Sequence, residues 1–304
     1  MVGLGTFSPL AGIRHTANAS ARKATVSIVR NEKAVSNRGV IDQEELSLML
    51  HRALFSAVGE ENVRRAWVTL GIEKHDVVGI KVNSNPNAFP RFVRSSVAYA
   101  LSDSLIKAQI IPPGNIIIYD RYTSELEDVG YRVNTSDTQI RCFGADENIG
   151  FAPDEGITRI VTDMCTKIIN ISALKTLDNQ FAASLTLKNH IGSLPPDQMP
   201  KCHDNTELIT LISTKPSIKN RTILAVCDGL RGTYKRGVPW YWKGIIMSCD
   251  PVAVEYAAHQ VINEKRSAEN SEPLAFPDYV RLADTKYGLG ICNPANMEII
   301  SETM

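Results

Sequence analysis

The feature that most constrains this chain is a repeated alternation. Short, continuous Val/Ile-rich runs are separated by segments whose apolar residues recur at helical spacing. The runs are residues 25–29 (TVSIV), 76–82 (DVVGIKV), 115–119 (NIIIY), 167–171 (KIINI), 222–227 (TILAVC) and 243–247 (KGIIM). A strand that is apolar along its whole length belongs in a sheet covered on both faces, and strand–helix alternation implies parallel pairing. The expected fold class is therefore α/β, with a mostly parallel sheet, helices on both faces, and residues 24–304 forming one domain. Between the strands, Asp42 followed by Glu45 reads as a capping box, opening a helix carried by Leu46, Met49, Leu50, Ala53 and Leu54. Val93, Val97, Leu101 and Leu105 mark another helix. Residues 181–190 (FAASLTLKNH) read as a third, closed by Gly192 and by Pro195 with Pro196. Asp250 is placed to cap a last helix, with Pro251 in its first turn. Segment 121–160 is more polar and irregular, and is expected as a small inserted lobe or an edge hairpin.

Composition removes several classes. Lys plus Arg and Asp plus Glu both number 33, so there is no basic footprint for nucleic acid or for an anionic membrane. No apolar run reaches the ~18 residues that a spanning helix needs. The six cysteines contain no C-x-x-C, so the chain carries no iron–sulfur or zinc-ribbon motif. They read as scattered buried thiols. Residues 1–23 read as signal-like or disordered: a mildly apolar start leads to Ala17-Asn18-Ala19 before Ser20, an A-x-A cleavage pattern. The expected location is extracytoplasmic (periplasmic), and the alternative is a cytoplasmic protein with a floppy N-terminus.

Open α/β sheets bind ligands beyond the carboxyl ends of their strands. Those ends carry Lys81 with Asn83 and Asn85, Asp120 with Arg121, Asn170, and Asp228 with Gly229. Polar residues also gather there simply because strands end in turns. Lys175 follows a strand, and Lys188, Asn189 and His190 end a small apolar helix. A lysine in such a helix must reach a carboxylate, a ligand anion or solvent, since burying an unpaired ammonium is costly. The plainer reading is a helix C-terminus whose side chains cap carbonyls. Lys201-Cys202-His203-Asp204 places a thiol beside an imidazole, a pattern for soft metal binding or an activated thiol, although adjacent side chains usually diverge. Residues 228–242 (DGLRGTYKRGVPWYW) combine glycines, cations and aromatics. Glycine lets backbone amides approach an anion that Arg231, Lys235 and Arg236 would clamp, and the aromatics suit a lid, a partner surface or simple self-packing. The phosphate-loop, dinucleotide, nucleophile-elbow and H-E-x-x-H patterns are absent.

Taken in order, VGIKVN (78–83), NISALKTL (170–177), LTLKNHIGSL (185–194), the histidine of KCHD (201–204), ILAVCDGLRGT (223–233), GVP (237–239) and IIMSCDPVAVE (245–255) resemble the family called domain of unknown function 362. The resemblance spans about residues 80–290. Two positions depart from the family pattern: Val82 stands where the family usually has proline, and Leu177 where it often has histidine, which weakens any metal role there. The resemblance implies export by the twin-arginine route. It does not bring the ferredoxin-type domain found in some members, whose cysteines this chain lacks. It marks Lys81, Asn83, Lys175, Lys188, Asn189, His190, His203, Asp228 and Asp250 as site residues.

The leading expectation is an enzyme acting on a small anionic substrate, with or without a divalent metal. Lys188, His190, His203 and Asp228 would carry the chemistry, and Lys81, Asn83, Lys175, Asn189, Arg231, Lys235 and Asp250 would hold the substrate. The alternative is a non-catalytic binding or assembly module, homo-oligomeric or joined to a protein partner through the aromatic loop 234–242.

Overall fold

In the computed structural model, which describes residues 23–85, 93–146, 148–177 and 181–304, the Val/Ile runs become a mixed sheet of nine strands. The signal-like start lies outside the described residues, apart from Lys23. In chain order the elements are β1 (Ala24–Arg30), α1 (Gln43–Val58), α2 (Val63–Thr69), β2 (Val78–Lys81), α3 (Ser95–Lys107), β3 (Ile116–Asp120), α4 (Thr123–Asp128), β4 (Arg141–Gly144) and β5 (Lys167–Lys175). After β5 come α5 (Thr186–Asn189), α6 (Lys201–Asp204), α7 (Glu207–Ser213), α8 (Pro216–Lys219), β6 (Thr222–Lys235), β7 (Val238–Trp240), β8 (Gly244–Ser248), α9 (Pro251–Ala268), α10 (Asp278–Thr285) and β9 (Met297–Thr303).

The strand order is β4-β3-β2-β5-β6-β8-β1-β9, with β7 paired to the far end of β6. All neighbours are parallel except where β8 pairs with β6 and β1, and where β7 pairs with β6. Side-chain alternation divides the core cleanly. Ile80, Ile116, Ile118, Ile169, Ile171, Leu224 and Val226 point to the face covered by α1, α2 and α3. Ile117, Tyr119 and Ile168 point to the other face, under α7 and α10, where Ala225, Cys227 and Ile246 meet α9. Segment 121–160 supplies α4 and the edge strand β4 of this same sheet. All six cysteines are free thiols. Among the described residues, no helix is long and apolar enough to cross a membrane.

Three local expectations need correcting. Asp42 does cap α1, accepting from the amides of Glu44 and Glu45, but the reciprocal half of the box is missing because the Glu45 carboxylate is taken by Asn31. The helix expected over 181–190 shrinks to the single turn of α5. Ala182 has φ of 55°, a left-handed conformation, and Thr176 and Ala183 form an isolated bridge, so the backbone ahead of Leu185 is committed elsewhere. The stretch 228–242 is largely strand: β6 runs on past Asp228 to Lys235, Gly237 turns it with φ of 77°, and β7 returns.

Trp242 lies across Gly229 and Gly244, which are register partners between β6 and β8. A Cβ on either glycine would enter the indole's van der Waals envelope. Gly229→Ala should therefore destabilise by about 1–3 kcal/mol through overpacking, and its cost should shrink in a Trp242→Ala background. Urea unfolding of the four species in that cycle measures the coupling, and strictly additive values would contradict it.

Candidate functional site

Three parallel strands deliver polar side chains to one end of the sheet. Lys81 ends β2, Asp120 ends β3, and Lys175 ends β5, with Asn170 the register partner of Lys81 on that neighbouring strand. Above them is a cleft of about 330 Å³ lined by, among others, Asn83, Asp120, Arg121, Glu125, Lys175, Lys188, Asn189, His203 and Arg236. Its floor is fully buried. Lys81 Nζ donates to Asp120 Oδ1 at 2.5 Å, to the Val82 carbonyl at 2.7 Å and to Asn189 Oδ1 at 3.5 Å. Asp120 Oδ2 accepts from the Ser84 amide and hydroxyl at 2.7 and 2.8 Å. Burial works against the Asp120 carboxylate, but the Lys81 ammonium and the Ser84 donors outweigh it and hold the carboxyl below its ordinary range. Gly192 passes so close that an added Cβ would stand 2.5 Å from Asp120 Oδ1 and 2.8 Å from Lys81 Nζ, so a side chain here would force the ion pair to shift.

Asn189 ties the floor together. Its amide donates to Asn170 Oδ1 at 2.7 Å and to the Ile171 carbonyl at 3.0 Å, while Asn170 donates to the Thr186 carbonyl at 2.9 Å. The short α5 that carries Lys188 and Asn189 is fixed from behind by Glu255 of α9, which accepts from the Thr186 hydroxyl, the Leu187 amide and the Tyr279 hydroxyl. Burial raises the Glu255 carboxyl, against the pull of these donors.

On the walls, Lys175 donates to Asn83 Oδ1 at 2.7 Å. Arg121 pairs with Glu125 at 2.6 Å and stacks on Tyr122. Lys188 is half-buried with Nζ 4.7 Å from the centre of the Phe181 ring, and among the described residues it has no carboxylate partner. Burial pushes its ammonium down from the ordinary lysine range. His203 sets its ring edge-on to the same Phe181 at 5.1 Å, and burial together with Lys188 lowers its pKa.

Of the residues singled out in the sequence, Asn83, Lys175, Lys188, Asn189 and His203 line the cleft, and Lys81 lies directly beneath it. Asn85, Asp120, Arg121 and Arg236, named at strand ends or as clamping cations, line it too, whereas Asp228, Asp250, His190, Arg231 and Lys235 do not converge there. Strand parity turns Asp228 to the opposite face, where it accepts from the Arg94 amide at the start of α3 and from the Leu230 amide, and faces the Arg94 guanidinium at 3.7 Å. It neither orients a histidine nor reaches the cleft. Asp250 lies two residues past the end of β8, and because β8 is antiparallel this strand end lies at the far edge of the sheet. There the aspartate caps α9 and accepts from the Ile291 amide. His190 follows Asn189 by the ~100° that one helical residue turns, so it points away from Lys188 and lines a separate hollow of about 210 Å³ with Asn170, Ser213 and Cys249. Arg231 stacks over Tyr241, and Lys235 is exposed beside the hairpin turn, whereas its neighbour Arg236 lines the cleft. Trp240 and Trp242 pack against the chain's own core.

Sequence reading named Asp120 with Arg121 at a strand end and Arg236 among the clamping cations but carried none of the three into the final site set, and it did not single out Glu125. For Asp120 a signal existed, since it stands at the end of a Val/Ile run just as Lys81 does. Glu125 carried only its four-residue spacing from Arg121. Among the described residues, no group of three or more His, Cys, Asp or Glu side chains gathers as a metal ligand set.

An α/β sheet with a small cleft at its carboxyl edge, walled by lysine and arginine over a sealed ion pair, defines the class of this protein. Residues 78–260, more than half of the 304-residue chain, match the family described as Domain of unknown function (DUF362), and the chain belongs to that family. The matched stretch contains the cleft residues named above. No curated protein matches the chain, and no solved structure does.

Two outcomes test the floor. Asp120→Asn strands the Lys81 ammonium and should cost about 3–5 kcal/mol, and adding Lys81→Met should recover part of that loss in denaturant unfolding. His190 is 2% exposed, and burial followed by the Lys81 charge lowers its pKa to about 3 from an ordinary 6.5. Between those values the unfolded chain binds a proton that the folded one does not, so stability falls as pH drops below 6.5 and continues to fall toward 3. Replacing His190 by Gln should flatten the profile by about 1.4 kcal/mol per pH unit in that window. An NMR titration placing the imidazole midpoint near 6.5 would contradict the assignment.

Proposed function

We propose that the cleft binds a small, oxygen-rich anion and that the protein is an enzyme acting on it. The observation that carries this reading is Lys188, a half-buried ammonium on the cleft wall with no carboxylate partner among the described residues. The lining as a whole supports it. Arg121, Lys175, Lys188 and Arg236 stand against Asp120 and Glu125, and those two carboxylates are engaged by Lys81 and Arg121. Cations in a recessed site bind carboxylate or phosphate oxygens more strongly than they would in open water. Asn83 and Ser184 add neutral hydrogen-bonding groups that fix orientation.

In this reading His203 moves the proton, being the histidine that lines the cleft, while Lys188 and Lys175 neutralise the substrate. His190 and Asp228 have structural duties. The metal-assisted version gains no support from the donor set, and the assembly-module reading gains none from Trp240 and Trp242, which pack inward. An exported, periplasmic location remains part of the proposal, resting on the Ala17-Asn18-Ala19 pattern and the family resemblance.

Calorimetric titration with phosphate, oxalate and malonate tests the reading. At least one should bind, affinity should fall as salt rises, and Lys188→Met should weaken it by about 10–100-fold, the range for losing one charged hydrogen bond. Equal affinity in Lys188→Met, or no binding to any of the three, would count against it.

A further inference from the structure

We infer that Lys188 is a nucleophilic amine that forms an imine with the carbonyl carbon of a 2-oxo acid held in the cleft. The inference rests on the anion-binding reading and assigns the substrate class within it.

Lys188 differs from the other cations of the site in its surroundings. Lys81 is locked to Asp120, Arg121 is locked to Glu125, and Lys175 donates to Asn83. Lys188 makes no hydrogen bond or ion pair among the described residues, and its ammonium rests over Phe181, a ring fully buried in the core. An ion-paired lysine is held as the ammonium and is a poor nucleophile. A lysine that is desolvated in an apolar setting and has no carboxylate partner keeps a usable fraction of free amine. Burial lowers the Lys188 pKa in the same direction. His203 packs edge-on to Phe181 at 5.1 Å, so one rigid ring positions both the amine and a proton carrier.

The substrate class follows from what surrounds the amine. An electrophilic carbonyl suits Lys188, and a carboxylate on the adjacent carbon suits Lys175 and Arg236, which line the same cleft. A volume of about 330 Å³ fits a compact acid. In the reaction, the Lys188 nitrogen lone pair attacks the carbonyl carbon, forming a C–N bond and a carbinolamine. The nitrogen then gives up its protons, the former carbonyl oxygen gains them, and that oxygen departs as water. The products are the imine and one water, with no change in oxidation state.

The test uses the full chain with pyruvate and 2-oxoglutarate, with and without sodium borohydride. Hydride from borohydride reduces the imine to a stable secondary amine. The expected result is a mass gain equal to the acid less one oxygen, mapped by peptide sequencing to Lys188 and absent in Lys188→Arg. Peptide mapping on the unaltered protein gives the answer even if the variant folds poorly. Label spread over exposed lysines and unchanged in Lys188→Arg would overturn the assignment. Calorimetric binding of either acid with no adduct at Lys188 would overturn imine formation and leave the anion-binding reading standing. Absence of both binding and adduct, for these acids and for the inorganic and dicarboxylate anions above, would overturn both.

Discussion

The burial of the Lys81 ammonium is the constraint on which the rest of the site depends. An ion with no exposed surface must find acceptors within reach or the fold fails, since an uncompensated charge in the interior costs several kcal/mol. Lys81 meets that demand with a carboxylate from β3, its neighbour's carbonyl and an amide from α5. Three separate segments of chain are therefore brought to one point. The glycine at 192 lets the backbone pass there without displacing the pair. The cleft above is the space left over once this junction has formed, and its walls inherit their positions from it.

Direction and parity then decide which polar residues share that space. Strands β2, β3 and β5 run the same way, so Lys81 and Asp120 meet at one end of the sheet, and β5, running five residues past Asn170, carries Lys175 to the cleft wall beside Asn83. Strand β8 runs the other way, so an aspartate at its end reaches the opposite edge and caps a helix. Asp228 sits mid-strand, an even number of residues from Leu224 and Val226, and so shares their face, away from Asn170 and Lys81.

Much of this architecture was legible in the sequence. Continuous Val/Ile runs announced buried strands, and the spacing of Leu46, Met49, Leu50, Ala53 and Leu54 announced α1, because burial on both faces or on one stripe leaves a direct mark on composition. The cleft was legible where a polar residue ended a parallel run, as at Lys81 and Asn83. It was not legible where the answer depended on strand direction, as for Asp250, on parity within an unexpectedly long strand, as for Asp228, or on the rotation of a single helical turn, as for His190. Those are tertiary facts, set by pairing partners far away in the chain. Arg236 and Lys235 were equivalent as letters; both are exposed, and only Arg236 lines the cleft.

The wall between the cleft and the hollow behind it is only two amide side chains thick, and those amides have a polarity. Lys81 gives to Asn189, Asn189 gives to Asn170, and Asn170 gives to the Thr186 carbonyl. Every donor in that relay points the same way, so neither asparagine can rotate end for end unless the other follows and the ammonium loses its oxygen. The partition therefore works as a ratchet with one stable setting. The charge at the base of the cleft fixes the orientation of groups that face a different compartment and never touch it.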